Sequence, residues 1–266
     1  MSIPEHLKLR FARICSEELV WYSKVEDGIG TYSEKRLHVA LKRFVCDDPE
    51  CYEIKVKGEL PEIQGRRGRR GFVADVLTGN TVYEIQTASL YPLKSKIGFL
   101  LERTELDLVV VHPLIAVKWV AWIDPTNGEV SKRHRSPKKE NVMSIARDLY
   151  SMIPFIRNER FRIMLPVIEA EEYRMLDGWD RGRKRGSSRF ERYPLSLIDI
   201  IELNSPKDYL EHYMPQELPD EFTAADYSRL TGAKGIAPYS LLSVLCELGA
   251  VEKGERSGRS FIYRKL

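Results

Sequence analysis

Cysteine is scarce in this chain: four residues in 266, Cys15, Cys46, Cys51 and Cys246, with no spacing that reads as a disulfide framework. Cys46 and Cys51 lack a second ligand pair at a zinc spacing, and the five histidines are scattered, so no zinc is expected. Long hydrophobic runs are missing as well. The most apolar stretch, Leu106 to Ile123, is interrupted by Asp107, His112, Pro113 and Lys118, which are costly in lipid, and it reads as two buried strands instead of a membrane span. The opening Met-Ser-Ile-Pro-Glu has neither the basic nor the apolar region of a signal peptide. With the cysteine usage this sets the expectation of a cytoplasmic protein. Strong charge of one sign is absent too: 42 Lys and Arg against 39 Asp and Glu leave +3, so a polyanionic partner has to be argued from local clusters.

What is present is an ordinary globular balance. Hydrophobic residues at 43% are too many for a disordered chain, and no internal repeat or low-complexity tract is visible. The length predicts a large domain over 1–214 and a small one over 215–266.

Periodicity orders the elements. Glu5 to Lys24 has mixed helical spacing, and two glycines in Asp27-Gly28-Ile29-Gly30 break it. A second helix follows, with Leu37, Leu41 and Phe44 on one face and Lys35, Lys42 and Arg43 outward. Tyr52 to Val56, Phe72 to Val76 and Thr81 to Gln86 read as strands, the last two joined at Thr78-Gly79-Asn80. Leu90 to Leu101 reads as a helix, and Leu108 to Val111 as a strand buried on both faces and reached by a parallel crossover. Val117 to Ile123 and Glu129 to Lys132 are expected to form a hairpin, Lys138 to Met152 a helix, and Phe161 to Ile168 and Leu195 to Leu203 two more strands.

The period of two puts Glu84 and Gln86 on one face of their strand, and the preceding turn brings Asp75 near Glu84. Close carboxylates favour a divalent cation, because otherwise one is driven to take up a proton. A plainer reading also stands, in which Asp75 supports the turn and the other two form the wet face of a sheet. The apolar company of Val82, Tyr83 and Ile85 speaks for a central hairpin where polar residues need a purpose.

Asp75 followed by Glu84-Ile85-Gln86, in the order helix, three strands, helix, strand, resembles the PD-(D/E)xK or restriction-endonuclease-like superfamily over about residues 28–115, within a domain core of about 28–135. The resemblance implies an α/β fold with a mixed sheet flanked by helices. It further implies a Mg²⁺ site, with Mn²⁺ as a substitute, held by Asp75, Glu84 and a helical Glu34, and hydrolysis of nucleic-acid phosphodiesters, DNA before RNA. Gln86 stands where the family commonly has lysine. An amide can orient a water but supplies no charge, and Lys94 or Lys96 in the next helix could replace it, Lys94 being the one chosen.

Two arginine-rich loops suit a phosphate backbone: Arg66, Arg67, Arg69 and Arg70 in one, and Arg181, Arg183, Lys184, Arg185 and Arg189 in the other. Solvated loops with no partner remain the alternative. A capping signal at Thr223 and Asp226, a Leu-rich helix near Pro238 to Leu248, and a hairpin from Val251 to Arg264 resemble a winged helix over about 217–266. That second helix exposes Tyr239, Ser240, Ser243 and Glu247 instead of a basic row, so DNA or protein contact are both open. The sequence thus points to a Mg²⁺-dependent nuclease, with an inactivated nuclease fold serving recognition as the alternative and a homodimer left open.

Overall fold

The computed structural model describes residues 3–22, 35–58, 71–178 and 186–266, the side chains of 19–22 excepted. It is a mixed α/β protein with a mixed multi-strand sheet flanked by helices. Among the described residues no helix is long and apolar enough to cross a membrane. In chain order come α1 (Glu5–Tyr22), α2 (Arg36–Val45), β1 (Tyr52–Lys57), β2 (Gly71–Thr78), β3 (Thr81–Ile85), α3 (Lys94–Arg103) and β4 (Asp107–Val111). Then follow β5 (Leu114–Ile123), β6 (His134–Arg135), α4 (Ala146–Met152), β7 (Phe161–Met175) and β8 (Ser188–Leu203). Last are α5 (Pro206–Tyr213), β9 (Glu221–Thr223), α6 (Ala224–Thr231), α7 (Ala237–Glu247), β10 (Val251–Ser257) and β11 (Ser260–Lys265).

Two compact units share the chain. One comprises Met1–Glu50, Pro113–Glu140 and Leu165–Ile201; the other comprises Cys51–His112, Asn141–Met164 and Glu202–Leu266. The C-terminal residues belong to the same unit as β1 to β4.

In that second unit β1, β2 and β3 pair antiparallel, and β4 lies parallel to β3 with Glu84 opposite Val110. Residues 161–164 of β7 add a parallel neighbour on the far side of β4. Because α3 carries the chain from β3 to β4, the crossover is parallel, and Leu108 to Val111 are all buried as expected for a strand between two others. At the C-terminal end Thr223 and Asp226 cap α6 reciprocally, the Thr223 hydroxyl accepting from the Asp226 N–H at 3.2 Å and the Asp226 carboxylate from the Thr223 N–H at 3.0 Å. Gly232 then ends the helix at φ +69°. β9 and β10 flank β11, and α7 packs against α4. Ser240, expected on the exposed side of α7, is buried together with Leu241, Leu242, Val244 and Leu245, because this helix is covered around most of its circumference and not along a single stripe.

In the first unit α2 buries Leu37, Ala40, Leu41 and Phe44 at helical spacing, and Phe11 of α1 meets Phe44 edge to face at 5.2 Å. Glu18 of α1 is buried between Arg36 (3.3 Å) and Arg43 (2.9 Å). Lys42, expected outward, is 4% exposed, so its ammonium is covered along with its stem. β6, β5 and β7 lie side by side, β5 parallel to β7, and β8 also pairs with β7.

Three boundaries differ from the sequence reading. The second hairpin arm begins within Glu129 to Lys132 as expected, with Val130 bridging Ile123 and the Ser131 N–H donating to the Trp122 carbonyl at 2.8 Å, but the Ser131 hydroxyl accepts from the Trp122 N–H at 2.9 Å in place of a backbone acceptor, and regular pairing resumes only at His134–Arg135. The helix expected from Lys138 starts at Ala146 after a 3₁₀ turn capped by Asn141, because Glu140 is engaged with Ile115 through both backbone and side chain. β7 and β8 extend well beyond their apolar cores, to Met175 and from Ser188, since polar residues alternate along those stretches without breaking the pairing.

One side chain fixes the crossover. Arg160 donates to the carbonyls of Leu101 (2.5 Å), Thr104 (2.6 Å) and Leu106 (3.2 Å), which closes the end of α3 and the turn into β4. Arg160→Ala is expected to cost about 3 kcal/mol in urea unfolding, because charged hydrogen bonds are lost together. Arg160→Lys should recover only part of it, since one ammonium lacks the planar fork that serves three carbonyls.

Candidate functional site

The β2–β3 turn places two carboxylates together. Gly79 adopts φ +57° at the turn, a conformation that costs glycine nothing, and the register Val76 to Tyr83, continued one step, sets Asp75 opposite Glu84 on the same face. Asp75 Oδ2 accepts from the Ile85 N–H at 2.7 Å, which ties its carboxylate to the end of β3. Glu84 is 2% exposed, and its Oε1 has no hydrogen-bond partner among the described residues.

Its other oxygen meets a lysine. Lys96 Nζ stands 2.5 Å from Glu84 Oε2 and 2.5 Å from the Val73 carbonyl. The lysine can do this because α3 is docked at its start, where Asp148 Oδ1 accepts from the Leu90 N–H (2.7 Å) and the Ser89 hydroxyl (3.0 Å). Burial pushes the Glu84 carboxyl up to about 7; Lys96 opposes the rise and the charge of Asp75 adds to it.

Gln86 lies just past β3. Its N–H donates to the Val111 carbonyl at 2.9 Å, and its own carbonyl accepts from His112 Nδ1 at 2.6 Å. Of the two lysines weighed from the sequence, Lys96 reaches the acidic pair, whereas Lys94 Nζ lies 5.8 Å from the Tyr91 ring centroid. Helical phase does not separate the two, since Lys94 precedes the buried Ile97 by three residues and Lys96 the buried Leu100 by four. His112 was not singled out for this site, and only the strand register shows that the ends of β3 and β4 lie together.

Glu34 falls outside the described residues, as do Arg66, Arg67, Arg69, Arg70, Arg181, Arg183, Lys184 and Arg185. Arg189 is described, exposed on β8 in the first unit. Among the described residues no group of three or more His, Cys, Asp and Glu is placed to hold a metal ion. Asp75 and Glu84 are therefore a pair.

A family model described as Domain of unknown function (DUF8091) matches residues 35–204. No curated protein and no solved structure matches the chain.

The sign of the Glu84 shift sets a pH dependence. A carboxyl raised from 4.5 to about 7 keeps its proton in the folded state over a range where the unfolded chain has released it. Stability contributed by that proton is lost as pH rises from near 4.5, and the cost is complete above about 7, amounting to about 3 kcal/mol. Urea unfolding in EDTA should therefore show Glu84→Gln gaining about that much on the wild type between about pH 5 and about pH 8. A difference that stays constant with pH would mean that Glu84 ionises as it does in the unfolded chain.

Proposed function

We propose, for a chain that belongs to the family DUF8091, a domain of unknown function, that it is a metal-dependent nuclease of the PD-(D/E)xK type. The observation that carries this reading is the buried Glu84 beside Asp75, with one carboxylate oxygen unpartnered among the described residues and the other held by Lys96. The order α2, antiparallel β1 to β3, α3 and parallel β4 supports it, being the order the resemblance calls for. Support for a nucleic-acid partner, DNA before RNA, comes from the C-terminal arrangement of α6, α7 and β9 to β11, which resembles a winged helix.

The donor set fits Mg²⁺ or Mn²⁺. Both carboxylates offer hard oxygens, Glu84 Oε1 is a buried acceptor without a donor among the described residues, and Mg²⁺ commonly uses one or two carboxylates and fills its shell with water and substrate phosphate. Asp75 and Glu84 would hold it, with Glu34 as a further ligand. When bound, the cation lowers the pKa of a coordinated water and offsets charge on the phosphate.

The chain's own groups do the rest. In hydrolysis a water oxygen bonds to phosphorus, the ester P–O bond breaks, and the leaving oxygen ends with a proton. Lys96 keeps an ammonium at the acidic pair, a donor that can meet a non-bridging phosphate oxygen as negative charge grows there. Gln86 can orient water by hydrogen bonding, and being an amide it neither accepts nor releases the proton. Burial of Glu84 and the apolar flank of Val82 and Ile85 exclude bulk water from the strand side of the site.

Cleavage of single-stranded, linear duplex and branched DNA, with Mg²⁺, Mn²⁺ or EDTA, tests the reading. Asp75→Ala and Glu84→Ala are expected to abolish hydrolysis and EDTA to do the same. Lys96→Met, which keeps the stem, should lower kcat by about 10²-fold or more. Lys94→Ala should stay near wild type, and Gln86→Lys should keep or raise activity. A wild type that binds DNA and never cleaves it with either metal would overturn the nuclease reading in favour of a recognition protein on the same fold.

A further inference from the structure

In the first unit the strands β6, β5, β7 and β8 lie side by side, and alternation along them sorts their side chains onto two faces. One face collects cations. Glu172, 3% exposed, receives Arg192 Nη2 at 2.7 Å and Arg174 Nη1 at 3.4 Å, and Lys118 adds its charge to the same carboxylate, which is held below its usual range although burial alone would raise it. Three cations thus face one anion, an excess of two positive charges.

The geometry fixes these groups in place. Arg174 also donates to the Ser187 hydroxyl (3.2 Å) and carbonyl (2.8 Å), so its guanidinium does not swing freely. Arg192 Nε is buried without a hydrogen-bond partner among the described residues, which leaves a directed donor unused.

Aromatic rings share that face. Trp122 is four residues along β5 from Lys118, on the same side and opposite Arg174, with His134 of β6 beside it at 5.9 Å between ring centroids. On β8, Phe190 is two residues from Arg192 and 42% exposed. The adjoining edge carries exposed Lys132 and Arg135.

We infer that this face of the β6-β5-β7-β8 sheet binds single-stranded nucleic acid, its phosphates meeting Lys118 and Arg174 and its unpaired bases stacking on Trp122 and Phe190. Cations alone would suit any polyanion. Flat rings beside them, Phe190 exposed and Trp122 half-buried, select a strand whose bases are unstacked, since a duplex keeps its base faces covered. The inference rests on the preceding reading for the partner's class alone; it adds the form of the strand, and it uses none of the residues assigned to hydrolysis.

Fluorescence anisotropy in EDTA, with labelled oligothymidylate of about 20 nucleotides and a duplex of the same length, reads binding without cleavage. The single strand is expected to bind about tenfold more tightly than the duplex. Phe190→Ala and Trp122→Ala should each weaken it about tenfold, while Phe190→Tyr and Trp122→Phe, which keep a ring, should restore most of the loss. Lys118→Gln should flatten the salt dependence by about one counterion. Phe190 is exposed, so its replacement leaves the fold intact, and unchanged affinity in Phe190→Ala would overturn the inference. Equal binding of duplex and single strand would also overturn it. Ring-dependent binding by a protein that never cleaves would uphold it and sink the nuclease reading; cleavage that depends on Asp75 but ignores both rings would do the reverse.

Discussion

A carboxylate buried on a central strand must be matched or neutralised, and Glu84 is partly both. Lys96 supplies one counter-charge, and burial together with Asp75 holds the carboxyl near neutrality. The surrounding structure serves that compromise. Asp148 docks the start of α3, Arg160 closes its end, and the helix between them delivers Lys96 to β3. The turn at Gly79 sets the register that puts Asp75 opposite Glu84. Loosening any one of these would change the ionisation of Glu84 before it changed the course of the chain.

Two other buried carboxylates are handled differently. Glu18 lies between Arg36 and Arg43, and Glu172 between Arg174 and Arg192 with Lys118 nearby. Guanidinium pairs present several donors in a fixed plane and can satisfy both oxygens of a carboxylate. Glu84 has one ammonium and keeps an oxygen unpartnered among the described residues. The contrast separates two carboxylates with both oxygens held from one with an oxygen unpartnered among the described residues.

The order of the elements and the neighbourhood of the acidic pair were legible in the sequence, because both follow from short-range rules. Alternation in Thr81 to Ile85 and the turn at Gly79 locate Asp75 and Glu84 together, and the unbroken apolar Leu108 to Val111 announces a strand with neighbours on both sides. Longer-range facts were not legible. Which of Lys94 and Lys96 turns inward depends on how α3 is anchored by Asp148, fifty-eight residues from Leu90. The pairing of His112 with Gln86 depends on parallel register. Ser131 interrupts a hairpin that residue preference alone would continue, since a hydroxyl that mimics a carbonyl leaves no trace in hydropathy. The arginine-rich loops and Glu34 lie outside the described residues.

The interleaving of the two compact units has a consequence for how the chain is made. The first unit draws on segments as far apart as Met1–Glu50 and Leu165–Ile201, and the second opens at Cys51 but takes its last segment from Glu202–Leu266. During synthesis neither can be finished when its first segment emerges: one waits for residue 201 and the other for residue 266. Buried faces such as that of β4 must stay uncommitted meanwhile, and a ribosome that stops before residue 201 releases a polypeptide with no complete core of either kind.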